Sequence, residues 1–201
     1  MQHPLEFIPD QYRKLIFFTL LILTLILFGV FSVLDAPLRT PAAPNGIVSF
    51  ELARTVGQAN AITSQWKRSS LLLSAVAGQA SPDIVNIPYA FAAFGLGLDY
   101  LFIPIYAFAL AFGTLLAAGQ HVGWLKFLGA VAGYGAFAAA VFDAVENYAL
   151  FQILLGWLFS PYPELAFYCA VTKFGLLFFG LLYSLAAWLL PKSHARENLA
   201  L

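Results

Sequence analysis

Four apolar runs, each long enough to cross a bilayer, constrain this chain more than any other feature. The plainest is Leu15–Leu34, which holds no charged residue and lies between Arg13-Lys14 and Asp35. The others cover about 91–118, 124–159 and 165–190. A spanning helix needs about 20 consecutive, mostly apolar residues, and each of these runs supplies them. Composition agrees: of 201 residues, 61% are hydrophobic and 10% charged, where soluble domains carry about 25% charged. The expected fold class is therefore all-α, a polytopic membrane protein built as a four-transmembrane-helix bundle. The whole chain, 1–201, reads as a single membrane domain.

A cleaved signal peptide competes for the first run, because basic residues precede it. The run exceeds the usual apolar core of such peptides, however. The sequence after it, Ser32-Val33-Leu34-Asp35-Ala36-Pro37, lacks a small-x-small cleavage site. An uncleaved anchor is expected.

Residues 36–83 form the one substantial polar region. Pro37, Pro41, Pro44, Asn45 and Gly46 predict a turn-rich exit from the membrane. Ser49 is placed to cap a helix running to Trp66, with Glu51 near its positive end. Val48, Leu52, Val56, Ala59, Thr63 and Trp66 recur at three- and four-residue spacing, an apolar stripe that predicts an amphipathic helix on the membrane surface or capping the bundle. The short run Leu71–Ala77 does not suffice to span, and turn residues follow at Gly78–Asp83.

Short connections at Gly119–Gly123 and at Ser160-Pro161-Tyr162-Pro163 force neighbouring helices to run antiparallel. Pro104 inside the second span is a kink candidate, since proline removes one backbone hydrogen bond. Arg13, Lys14, Lys126, Lys192 and Arg196 fall on one side of the membrane, and the loop at 160–164 carries no basic residue. Both termini are thus expected to be cytoplasmic in a multi-pass protein of the cell membrane, with 36–83 extracytoplasmic. Ten Lys and Arg balance ten Asp and Glu, and no basic block suggests a nucleic-acid partner. The lipid bilayer is the expected partner, together with a second copy or a membrane-complex subunit. Gly129-x-x-x-Gly133 and its alanine-rich surroundings fit close helix packing, first of all within the chain and otherwise as a homodimer seam. A lone cysteine, Cys169, excludes an internal disulfide and reads as a small core residue.

Chemistry is confined to a few polar residues inside the spans. They are Asp99 in the second, Asp143, Glu146 and Asn147 in the third, and Lys173 in the fourth. A charge in hydrocarbon costs a few kcal/mol, so each is expected to face the protein interior and have a partner. Asp99 precedes Gly119 by as many residues as Asp143 follows Gly123, which places both about 30 Å along their helices from that turn. Glu146 and Asn147 lie three and four residues beyond Asp143 and share its face. Lys173 lies about 13 Å in from Glu164, towards the same layer. With three carboxylates and one lysine, one carboxylate is expected to be protonated or to hold a cation or substrate.

Asp99, Asp143 and Glu146, with Tyr100 and Asn147 as neutral partners and Lys173 as counter-charge, are the candidate ligand-binding residues. The corresponding function is binding or transport of a small cationic or amphiphilic ligand. An intramembrane enzyme acting on a lipid-like substrate is a second reading, and a non-catalytic accessory subunit a third. A purely structural polar network competes with all three. No histidine joins the cluster, so no metal site is expected, and no cofactor is identifiable. His3, His121 and His194 fall at or beyond predicted helix ends, where solvated or interfacial roles are expected.

The elements Phe50-Glu51-Leu52-Ala53, Leu98-Asp99-Tyr100-Leu101-Phe102 and Phe142-Asp143-Ala144-Val145-Glu146-Asn147 resemble a group of uncharacterised small bacterial membrane proteins. The resemblance covers about residues 48–190, and the Asp-x-x-Glu-Asn element is its most specific part. It implies a four-helix architecture and a bacterial inner membrane, and no chemistry. Intramembrane sterol-modifying isomerases also use carboxylates in small helical bundles, a likeness of architecture alone.

Overall fold

The computed structural model of the chain describes residues 1–76, 87–159 and 161–192, with side chains at all of them except 69–76 and 87. The turn expected at Gly78–Asp83 and the residues His194 and Arg196 lie outside the described residues. The fold is all-α. Its helices are α1 (Asp10–Asp35), α2 (Ile47–Glu51), α3 (Val56–Val76), α4 (Ile87–Ala118), α5 (Trp124–Leu154) and α6 (Tyr162–Leu189). Among the described residues there is no β-strand, only an isolated bridge between Thr40 and Ala43. Among the described residues four helical segments are long and apolar enough to cross a membrane: Asp10–Leu38, Pro88–Ala118, Trp124–Leu154 and Tyr162–Leu189. The chain is an integral membrane protein.

Local chemistry explains where the helices stop. The third span was expected to reach residue 159, but α5 ends at Leu154. Gly156 adopts φ +98°, its N–H bonds Ile153 O at 3.1 Å, and the Trp157 N–H returns to Gln152 O at 3.0 Å. These two bonds form a Schellman cap, in which a left-handed glycine closes the last turn. Gly123, at φ +66°, makes the turn into α5 in the same left-handed region. α4 continues through Pro104 as one helix. In α1 the hydroxyls of Thr24 and Ser32 donate to Leu20 O and Phe28 O, at 2.8 and 2.9 Å, so neither is left unsatisfied in an apolar segment.

The polar region departs from expectation. One helix from Ser49 to Trp66 was predicted, and the chain instead forms two, α2 and α3, broken at 52–55. Ser49 lies inside α2 and accepts the Asn45 N–H, while Asp35 Oδ1 accepts the N–H of Ile47 at 2.7 Å. Glu51 closes the C-terminal end of α2 and is buried, so it does not serve the positive end of a helix. The break also rotates the apolar stripe. Val48, Leu52 and Val56 are exposed, whereas Phe50, Ala53, Ala59, Ile62, Thr63 and Trp66 are buried.

α3 starts with a capping box: Thr55 Oγ1 accepts the Gln58 N–H, and Gln58 Oε1 accepts the Thr55 N–H, both at 3.2 Å. Thr55→Ala is expected to lower stability by about 1 kcal/mol. An equilibrium unfolding titration in mixed micelles checks it, and an unchanged midpoint would show that the cap is redundant.

Packing divides the chain into two compact units: Met1–Leu25 with Phe102–Phe142 and Thr172–Leu201, and Ile26–Leu101 with Asp143–Val171. In the first unit one cluster gathers Leu5, Ala111, Phe112, Leu115 and Ala136, and another Ala117, Ala118, Ala132, Tyr183 and Ala187. Gly129 and Gly133 both face this unit's interior. A Cβ on Gly129 would lie 2.5 Å from Ala118 Cβ, and one on Gly133 would overlap the His3 ring. In the second unit the core runs from Leu38, Phe50 and Trp66 through Ala92 and Leu96 to Leu150, Ile153 and Ala166. The face of α3 that carries Ala59, Ile62 and Trp66 thus covers segments of α4, α5 and α6.

Candidate functional site

Five of the six candidate residues, Asp99, Tyr100, Asp143, Glu146 and Asn147, belong to the second unit. α5 presents Asp143, Glu146 and Asn147 on one face through its i, i+3, i+4 spacing. Their exposures are 3%, 0% and 1%. Asp99 on α4 is half-buried. The Asn147 Nδ2 donates to Asp99 Oδ2 at 2.6 Å, which ties α4 to α5 through a carboxylate–carboxamide pair.

Tyr100, the next residue on α4, makes a second tie. Its hydroxyl donates to Ala144 O at 3.1 Å, and its ring stacks on Phe151, with centroids 6.5 Å apart and planes at 16°. The ring is 43% exposed, so Tyr100 stands between the buried α5 polar face and the outer surface of the unit. Leu101, next to it on α4, and Val145, next to Ala144 on α5, are exposed as well.

Lys173 belongs to the first unit. It is buried, and its Nζ lies 5.0 Å from the centroid of the Phe174 ring. Among the described residues no group of three or more His, Cys, Asp and Glu side chains is arranged to hold a metal ion.

Two histidines differ from the solvated role read from the sequence. His121 is buried, and its Nε2 lies 2.7 Å from Ala187 O. His3 is 6% exposed, with Nε2 3.0 Å from Thr114 Oγ1. Both sit in the first unit, where turns outside the helices fold back onto helix ends. Hydropathy patterning carries no signal for such a return. For His3 the nearest hint was the small residue at Gly133, which leaves room for a ring.

A second polar contact of the other unit was also not anticipated. Arg54, in the break between α2 and α3, donates from Nη2 to the Tyr168 hydroxyl at 2.9 Å and lies over the Phe167 and Tyr168 rings at 5.6 and 5.5 Å. It fastens the polar segment to the first turns of α6 by a cation–π and hydrogen-bond contact.

No protein-family model matches the chain, and neither a curated protein nor a solved structure is significantly similar to it.

Proposed function

We propose that the chain binds a small organic cation, or the cationic head of an amphiphile, through the carboxylates of its second unit. The observation that carries this reading is the burial of Asp143, Glu146 and Asn147 together on one face of an apolar spanning helix. Intramembrane carboxylates are expensive to hold, and in helical membrane proteins they belong by default to ligand, ion and proton paths. A bound ammonium group offsets that cost, because it supplies the opposite charge in a low dielectric. Asp143 and Glu146 would hold the charge. Asp99, oriented by Asn147, would complete the polar side, and Tyr100 with Phe151 would offer an aromatic wall. The binding set is drawn from one unit and leaves Lys173 outside it. In keeping with the distribution of basic residues, both termini lie on the cytoplasmic side and residues 36–83 outside, and the resemblance of the Asp-x-x-Glu-Asn element points to a bacterial inner membrane.

Native mass spectrometry of the protein released from mild detergent tests the reading. The parent is expected to carry a bound cationic amphiphile. Asp143→Asn, which keeps shape and removes charge, is expected to weaken retention about 30-fold or more, the cost of losing a buried charge partner. A parent that flies only as the bare chain, or an Asp143→Asn protein that retains the same adduct equally well, would remove the reading.

A further inference from the structure

The nine residues before α1 are not a loose leader. Glu6 N–H bonds His3 O at 3.0 Å and Ile8 N–H bonds Leu5 O at 3.1 Å, so the segment is wound into turns. Arg13, in the first turns of α1, grips it from behind: Nε donates to Ile8 O and Nη2 to Glu6 O, both at 2.7 Å. Leu5 enters the cluster formed by Ala111, Phe112, Leu115 and Ala136. Glu6 pairs with Lys126 in the first turn of α5 at 3.0 Å. His3 is buried as well, in the notch that Gly133 leaves on α5.

The hydrogen bonds of His3 fix its charge. Leu5 N–H donates to Nδ1 at 3.2 Å, so Nδ1 carries no proton. The Thr114 hydroxyl is committed as donor to Ala111 O at 2.8 Å and therefore accepts from Nε2. Only the neutral Nε2–H tautomer satisfies both contacts. An imidazolium would lose the Leu5 bond, set two N–H groups against each other, and place a charge in an apolar cluster.

We propose that residues 1–9 are a releasable strap, latched on α4 and α5 by neutral His3 in the Gly133 notch, which lets go when His3 takes up a proton.

The ionisable groups around the latch are Glu6 and Arg13 beside it, and Lys126 and Tyr134 on α5. α4 offers no ionisable side chain between Ala107 and Ala118, only the neutral hydroxyl of Thr114. Burial is the largest influence and pushes the imidazole down from 6.5 to about 4, with Glu6 raising it and Arg13 lowering it. A histidine whose docked pKa is depressed docks at full strength above its free value of 6.5. Docking then weakens about tenfold per pH unit down to about 4, where the docked ring itself is protonated. Release falls within that window, at a point set by the remaining contacts. The Glu6 carboxyl, held below its ordinary value chiefly by its bond to Lys126, acts in the same direction at lower pH. The test must therefore separate the two.

A nitroxide at position 7 reads the strap, since Phe7 is exposed while its neighbours are docked. Phe7→Cys in a Cys169→Ser background, reconstituted in nanodiscs, is expected to give an immobilised spectrum at pH 7.5. A mobile fraction should grow between pH 6.5 and 4. Adding Gly133→Ala should make the label mobile at pH 7.5, because the methyl occupies the ring's place. Adding Glu6→Gln should leave the titration in place. His3→Gln should abolish it in that window, whether its strap is held or loose. The proposal fails if the Gly133→Ala label is as immobile as the parent. It fails equally if His3→Gln titrates as before, or if Glu6→Gln removes the transition.

Discussion

Trp66→Ala is expected to cost about 5 kcal/mol of stability in the second unit. The indole is fully buried, its Nε1 donates to Leu38 O at 2.8 Å, and Phe50 meets it edge-on with centroids 5.2 Å apart. Truncating a buried tryptophan to alanine costs about 3–5 kcal/mol in lost contacts and cavity. Leaving the Leu38 carbonyl without its donor adds about 1 kcal/mol. Trp66→Phe separates these contributions, since it keeps most of the volume and removes only the donor. Its expected cost is about 1–2 kcal/mol. Reversible unfolding in mixed micelles, followed by helical signal, reads both. A Trp66→Ala loss below about 1 kcal/mol would mean that α3 and the 36–46 segment contribute little to the folded unit.

Trp66 also marks where sequence reading ran out. The spacing Ala59, Thr63, Trp66 was visible in the sequence, and all three are buried on α3. Extending the same stripe back to Val48, Leu52 and Val56 failed because helical phase is kept only while the helix continues. The break at 52–55, closed by Thr55 and Gln58, restarts the phase. Thr55 and Gln58 stand at capping-box spacing in the sequence, a local signal that apolar periodicity does not register. The end of α5 behaved in the same way: Gly156 was the stop signal, and the apolar residues after it masked it.

The polar face of α5 was legible because i, i+3, i+4 geometry is local. The meeting of Asn147 with Asp99 depended on register between two helices: equal counting from Gly119 and Gly123 set Asp143 level with Asp99, whereas the hydrogen bond comes from Asn147, one turn further along α5. His3 had no such aid. Its place is made by residues more than a hundred positions away, Thr114 and Gly133, and nothing local to the first turns announces them.

Gly129 offers the second large effect, because two other helix segments close on it. A Cβ there would meet Ala118 Cβ and Tyr183 Oη, each at 2.5 Å. The tyrosine can yield only by giving up its 2.9 Å bond to Leu125 O, and Ala118 is fixed to the last turn of α4. Gly129→Ala is therefore expected to cost about 1–3 kcal/mol, and Gly129→Leu about 3 kcal/mol or more, as overpacking that no rotamer relieves. Pairing Gly129→Ala with Tyr183→Phe should recover part of the loss, since the phenol oxygen is one of the two obstructing atoms. The comparison also separates packing within the chain from a homodimer seam. If Gly129 serves the first unit, Gly129→Leu lowers the unfolding midpoint at every protein concentration and leaves the sedimentation behaviour of the folded fraction as in the parent. If it lies in a seam between copies, the variant keeps its midpoint when dilute and loses a dimer that the parent forms. Sedimentation equilibrium in density-matched detergent, run beside the unfolding titration, tells these apart. The contacts of Gly129 with Ala118 and Tyr183 predict the first outcome.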